Sequence, residues 1–187
     1  NFIYSITQDR EGNIWFGTEG GAGCLTPSNI KTYSRDHGLP TGMIYDIIQD
    51  KKGRYWFGTS EGLSCYSGGH FFNYTQKDGL ISDTINGLME DRSGNIWIAT
   101  IMGLSILSCG HFTNYTEKDG LASNILFKSI ESQDGTIWIG ARKGLTRFDN
   151  GKFSSPPFPL EENNVSCIME DSRMNLWFSS KEKLNKY

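Results

Sequence analysis

Apolar residues along this chain come in short runs, separated by polar clusters that contain glycine, and the runs recur in a fixed order. The clearest run is Ile96-Trp97-Ile98-Ala99-Thr100, preceded by the turn-forming segment Asp91-Arg92-Ser93-Gly94-Asn95. The same stretch returns at residues 9–18, 50–59, 132–141 and 171–180. Its tryptophans are Trp15, Trp56, Trp97, Trp138 and Trp177, which stand 41, 41, 41 and 39 residues apart.

Within one repeat the pattern predicts four strands. In the second repeat these are strand A at residues 44–50, strand B at 54–59, strand C at 63–66 and strand D at 71–75. Each separator holds a glycine able to take the positive φ of a tight hairpin loop, so all three connections read as antiparallel hairpins. No window places apolar residues at helical spacing for the dozen positions a helix needs. A four-stranded unit of this size cannot bury both its faces alone, and a period of about 40 to 45 residues with four strands is that of a propeller blade. The expected fold is all-β, a β-propeller of about five four-stranded antiparallel blades in one domain, at approximately residues 2–41, 42–82, 83–123, 124–162 and 163–187. The tryptophans are expected to lie buried between blades.

Two repeats depart from the pattern. The fourth has Ser132 where the others have Asp, and a shortened segment at residues 154–160 that predicts a truncated outer strand. The fifth has Met174 where the others have glycine, which predicts a turn of another shape, because a bulky residue at positive φ costs about 1 to 2 kcal/mol. Tyr187 aligns with Tyr66 at the end of strand C, so the fifth blade is expected to lack strand D. That leaves a fragment of a larger propeller, an open array or a small ring, with further blades or another chain expected at the incomplete edge.

The segments residues 94–100, Gly103-Leu104-Ser105 and Tyr115-Thr116-Glu117-Lys118-Asp119-Gly120-Leu121, recurring together at fixed offsets, resemble the two-component regulator propeller repeat. The resemblance implies the periplasmic or extracellular sensor region of a bacterial sensor kinase or hybrid regulator. It implies a non-catalytic module that recognises an oligosaccharide or another small polar ligand, with any kinase activity elsewhere. The blades also bear a looser similarity to streptogramin lyase propellers. A third reading is a protein-interaction scaffold.

Composition narrows the chemistry. The 187 residues are 37% hydrophobic with a net charge of −3, and Lys and Arg are scattered, which disfavours nucleic acid. No apolar run reaches the length of a membrane span, and no signal peptide is visible. The four cysteines are expected to be unpaired and buried, since Cys24 and Cys65 occupy the same site in successive repeats. His70 and His111 are also repeat equivalents, and His37 lies in a different connection, so the three cannot cluster. Zinc, calcium and nucleophile-elbow spacings are missing, and no catalytic residue, metal or cofactor is expected. The recurrent Asp9, Asp50, Asp91 and Asp171 read as caps on their turns.

Comparison between repeats isolates the candidate binding residues. Ten residues before each Trp, in mid-strand A, stand Ser5, Asp46, Gly87, Lys128 and Cys167; a position that varies among steady apolar neighbours reads as free of packing duty, which would turn Asp46 and Lys128 into the propeller channel. Fourteen residues before each Trp stand Asn1, Gly42, Asp83, Asn124 and Asn163, a mostly polar set where strand A begins, with Arg142 in a nearby hairpin. The expected ligand contacts are Asp46, Asp83, Asn124, Lys128 and Arg142, a mix of neutral polar groups and opposed charges that suits a sugar.

Overall fold

The computed structural model describes residues 2–40, 42–158, 164–180 and 183–187. Blade one is β1 (Ile3–Gln8), β2 (Ile14–Thr18), β3 (Gly21–Leu25) and β4 (Ile30–Tyr33). Blade two is β5 (Ile44–Gln49), β6 (Tyr55–Thr59), β7 (Gly62–Ser67) and β8 (His70–Tyr74). Blade three is β9 (Ile85–Glu90), β10 (Ile96–Thr100), β11 (Leu104–Ser108) and β12 (His111–Tyr115). Blade four is β13 (Leu126–Glu131), β14 (Ile137–Ala141), β15 (Gly144–Asp149) and the short β16 (Lys152–Ser154). Blade five has three strands, β17 (Ile168–Glu170), β18 (Leu176–Ser180) and β19 (Lys183–Lys186). Consecutive strands pair as antiparallel hairpins, as the glycine spacing predicts. Backbone contacts group the chain into two compact units, Asn1–Leu88 and Met89–Tyr187.

Within each unit the blades stack through complementary faces. The Trp-bearing face of blade one, with Trp15, Ala22 and Cys24, meets Ile44, Ile47 and Phe57 of blade two. Likewise Met89, Trp97 and Leu104 of blade three meet Leu126, Ile137 and Ile139 of blade four, and Trp138 and Leu145 meet Ile168, Leu176 and Phe178 of blade five. Burying each such Leu, Ile or Phe is worth about 1.5 to 3 kcal/mol, so these contacts, repeated at every stack, dominate stability. The glycine of the Trp-Phe-Gly-Thr run is dictated by the same stacking. A Cβ on Gly17 would lie 2.7 Å from the Ile44 carbonyl oxygen of the next blade, and one on Gly140 would lie 2.4 Å from that of Val165.

A polar latch joins the same neighbours. The backbone N–H of the residue after the recurrent Asp, or after Ser132 in blade four, donates to a Gln or Glu at the end of the next blade's first strand. The pairs are Arg10 to Gln49 Oε1 at 3.0 Å, Arg92 to Glu131 Oε2 at 2.6 Å and Gln133 to Glu170 Oε2 at 2.9 Å. Where that residue is arginine, its guanidinium also bonds the next turn's carbonyls: Arg10 to those of Asp50 and Lys51, Arg92 to those of Ser132 and Gln133.

Three expectations are corrected. Trp15, Trp56, Trp97 and Trp138 are buried, but Trp177 is only half-buried. In blades one, three and four the ring packs on the following sheet, whereas Trp177 lies beneath Lys186 Nζ, 5.5 Å from its centroid. Met174 does not reshape its turn: its φ is +63°, and its N–H bonds the Asp171 carbonyl at 3.0 Å as Gly94 bonds that of Asp91. The turn's geometry is set by Asp171, and Met174 accepts the left-handed conformation. All four cysteines are free, but Cys109 and Cys167 are exposed; only Cys24 and Cys65 sit in the core.

Candidate functional site

The connection between blades is built by the Tyr-Thr-x-Lys-Asp-Gly-Leu motif. Thr75 and Thr116 cap one-turn 3-10 helices at Gln76–Asp78 and Glu117–Asp119, and Asp78 and Asp119 bond back to the capping threonine N–H at 2.8 Å. Gly79 and Gly120 then take left-handed φ values of 112° and 106°, which turn the chain so that Leu80 and Leu121 plug the core. Blade one uses the same device with Ser34 and His37, whose Nδ1 accepts from the Ser34 N–H at 3.2 Å.

Asp83 and Asn124 belong to this scaffold. Asp83 Oδ1 accepts from the Gln76 N–H at 2.7 Å, and Asn124 Oδ1 accepts from the Glu117 N–H at 2.8 Å. Each staples the start of its blade to the 3-10 turn seven residues earlier. Asn1 and Asn163, the outermost members of the same set, lie outside the described residues.

Asp46 has a packing duty, contrary to the expectation from its variability. It is buried, its Oδ1 accepts from the Ile47 N–H at 3.1 Å, and its Oδ2 accepts from the Leu88 N–H of blade three at 2.9 Å. Ser5, its counterpart in blade one, donates its hydroxyl to the Ile44 carbonyl of blade two at 3.3 Å. A β-bulge produces this placement. The register of the first strand shifts between Ile3 and Ser5, Ile44 and Asp46, and Leu126 and Lys128, with Tyr4, Tyr45 and Phe127 as the extra residues. Lys128 therefore sits opposite Gly140 and is half-buried.

Arg142 is exposed at the β14–β15 hairpin, and its backbone N–H donates to the Ile125 carbonyl at 2.9 Å. Beside it, Lys143 Nζ lies 3.8 Å from Glu117 Oε1, the oxygen that accepts from the Asn124 N–H at 3.0 Å. Asn124, Glu117, Arg142 and Lys143 thus share one rim patch in the unit of residues 89–187. Asp46 and Asp83 lie in the unit of residues 1–88.

The recurrent Asp does more than cap its turn. Asp9, Asp50, Asp91 and Asp171 each accept the indole N–H of the Trp six residues later at 2.9 Å. Each also accepts the backbone N–H four residues on, at 2.7 to 2.9 Å. Burial opposes ionisation of Asp9, but hydrogen bonds from Asn13, Trp15 and Tyr55 outweigh it and hold the carboxyl below its usual value. Asp50 is lowered likewise, burial being outweighed by Trp56 and Arg54, and Asp171 is lowered chiefly by its bond from Trp177. Burial, and after it the bond that the Tyr55 hydroxyl donates to Asp9, pushes that hydroxyl well above its usual range. The constant six-residue offset was the available signal for this clasp.

His70 and His111 stand exposed at the starts of β8 and β12. Among the described residues no group of three or more His, Cys, Asp or Glu could hold a metal ion. A cavity of about 310 Å³ beside Trp138, Glu170 and Tyr187, and one of about 240 Å³ beside Phe16, Ala22 and Tyr33, contain none of the five candidate residues.

These blades define a β-propeller, and solved structures match it over the full chain. The extracellular domain assigned to a hybrid two component system of B. thetaiotaomicron matches with a TM-score of 0.85 at 23% identity, covering 100% of this chain and 28% of that domain. A second extracellular domain from B. thetaiotaomicron, assigned to a one component system, matches with a TM-score of 0.81 at 18% identity, covering 100% and 31%. Virginiamycin B lyase from Staphylococcus aureus matches with a TM-score of 0.79 at 15% identity, covering 99% of this chain and 69% of the enzyme. The chain spans about three tenths of the two extracellular domains, and at these identities the likeness carries the fold alone. In sequence, the two component regulator propeller family matches residues 1–20, 38–61 and 79–102. Three stretches of the chain are thus matched by the two component regulator propeller repeat, the family its motifs resemble. No curated protein matches it in sequence. No helix among the described residues is long and apolar enough to cross a membrane.

Proposed function

We propose that this chain is part of the extracytoplasmic sensing region of a bacterial two-component signalling protein, and that it binds a small polar ligand, an oligosaccharide with an acidic substituent, without catalysing a reaction. The repeat family and the likeness to extracellular propeller domains support the sensing role. Support for the ligand class comes from the blade-four rim. Arg142 is held by its backbone N–H at the β14–β15 hairpin while its guanidinium makes no hydrogen bond or ion pair with the described residues. A planar five-donor cation of this kind suits a carboxylate. Asn124 Nδ2 and Lys128 would serve the neighbouring hydroxyls. A thermal-shift screen tests the reading. Uronic-acid oligosaccharides should raise the melting temperature in proportion to the logarithm of concentration, more than neutral ones do. A uniform lack of shift across acidic and neutral sugars in the full-length protein would remove the proposal.

A further inference from the structure

The hairpin between the second and third strands of blade three is clasped by its two ends. The Thr100 hydroxyl donates to the Gly103 carbonyl at 2.7 Å and accepts from the Met102 N–H at 3.1 Å. Blade two repeats the clasp: the Thr59 hydroxyl donates to the Gly62 carbonyl at 2.8 Å and accepts from the Glu61 N–H at 3.0 Å. Only a threonine, a glycine and backbone atoms take part, so the hairpin does not dictate the two side chains at its tip. Polar or small residues stand there in the other described hairpins, as Glu19-Gly20, Ser60-Glu61 and Arg142-Lys143. Blade three instead carries Ile101 and Met102, which are 42% and 53% exposed. Blades three and four are both preceded and followed by further blades in this chain.

The apolar tip stands beside the cationic one. Ile125, half-buried at the start of blade four, links them, and its carbonyl accepts from the Arg142 N–H at 2.9 Å. The repeat brings the other side of Ile125 against blade three. In blade two the Ser60 carbonyl accepts from the Thr84 hydroxyl at 3.5 Å, and Ile101 and Ile125 hold the positions of Ser60 and Thr84 one repeat later. Successive sheets pack about 10 Å apart, a gap that two linked sugar residues bridge. Arg142 suits a carboxylate, whereas Ile101 and Met102 gain nothing from a hydroxyl, which would lose its water against them. The pair of hairpins therefore favours an anion that also carries a small apolar group.

We propose that Ile101 and Met102 form a specificity-determining subsite for the acyl group of an O-acetylated acidic oligosaccharide whose carboxylate pairs with Arg142. This inference rests on the sensing reading and adds to it the substituent that the blade-three tip distinguishes. Burying one methyl group against the tip is worth about fourfold in affinity.

The test is calorimetric titration of the full-length protein with a panel of uronic-acid oligosaccharides, each in its O-acetylated and its deacetylated form. Wild type should bind the acetylated form about fourfold more tightly. Ile101→Ser combined with Met102→Ser should bring that ratio to about one, with a far-ultraviolet spectrum like that of wild type, since the clasp of Thr100 and Gly103 is kept. Arg142→Ala should weaken both forms and keep the ratio, which separates the acyl contact from the charge contact. Acidic sugars that bind wild type without preference for the acetylated form, or a double serine variant that keeps the preference, would overturn the inference and leave the sensing proposal standing. Absence of binding by either form across the panel would remove both.

Discussion

Replacing Met174 by glycine should stabilise the protein. Four equivalent turns place glycine at φ values of 84°, 81°, 84° and 90°, and Met174 adopts +63° to make the same turn bond. An L-residue in this region costs about 1 to 2 kcal/mol. Glycine returns about 0.5 to 1 kcal/mol of that through its greater freedom in the unfolded chain. The Met174 side chain is 64% exposed, so little packing is lost. The net expectation for Met174→Gly is a gain of about 0.5 to 1 kcal/mol, or about 2 °C in melting temperature for a chain of this size. Urea unfolding followed by tryptophan fluorescence measures it, with Met174→Ala as the control that removes the side chain but keeps the Cβ. Since blades unfold as coupled neighbours, the gain should appear in the transition of blade five. An alanine variant as stable as the glycine variant would refute the reasoning, because the benefit would then owe nothing to backbone conformation.

Trp97→Ala, which empties a fully buried site, should cost about 3 to 5 kcal/mol, and Trp177→Ala, half-buried, clearly less; equal losses by denaturant unfolding would contradict the stacking described here. Ser129 is buried with its hydroxyl unpartnered among the described residues, so Ser129→Ala should stabilise by about 1 kcal/mol, read by the same unfolding curves. Asp9, Asp50 and Asp171 have folded pKa values below the unfolded value of 3.8. Their contribution is therefore full above about pH 5 and is lost as pH falls through about 4 toward the folded values, so acid titration should destabilise wild type more steeply than Asp9→Asn with Asp50→Asn.

The blade architecture was legible because stacking imposes a period on the sequence. Trp15 to Trp177 mark the second strand of each blade, glycines mark the hairpins, and the missing fourth strand of blade five follows from Tyr187 aligning with Tyr66. Less visible was what the polar positions do. Ser5 and Asp46 vary, yet both bond the next blade's first strand, one to a carbonyl and the other to an N–H. A backbone partner accepts many side chains, so variation there does not indicate freedom from structural work. The bulge at Tyr4, Tyr45 and Phe127 was hidden for a related reason: in a first strand whose residues are mostly apolar, an inserted aromatic residue leaves no break in the pattern. The Trp–Asp clasp needed the hairpin's geometry, which brings a residue six positions away back against the indole. Asp83 and Asn124 could be read as strand-start residues, but their seven-residue reach to Gln76 and Glu117 depends on the 3-10 turn between.

The sensing proposal is tested most directly by calorimetric titration of the full-length protein with an acidic oligosaccharide and its neutral counterpart, comparing wild type with Lys128→Ala combined with Arg142→Ala. A charge-assisted pair to arginine is worth about 1.5 to 3 kcal/mol, so the double variant should bind the acidic sugar at least tenfold more weakly while its affinity for the neutral one changes little. Equal affinity of wild type and variant for the acidic sugar would contradict the account.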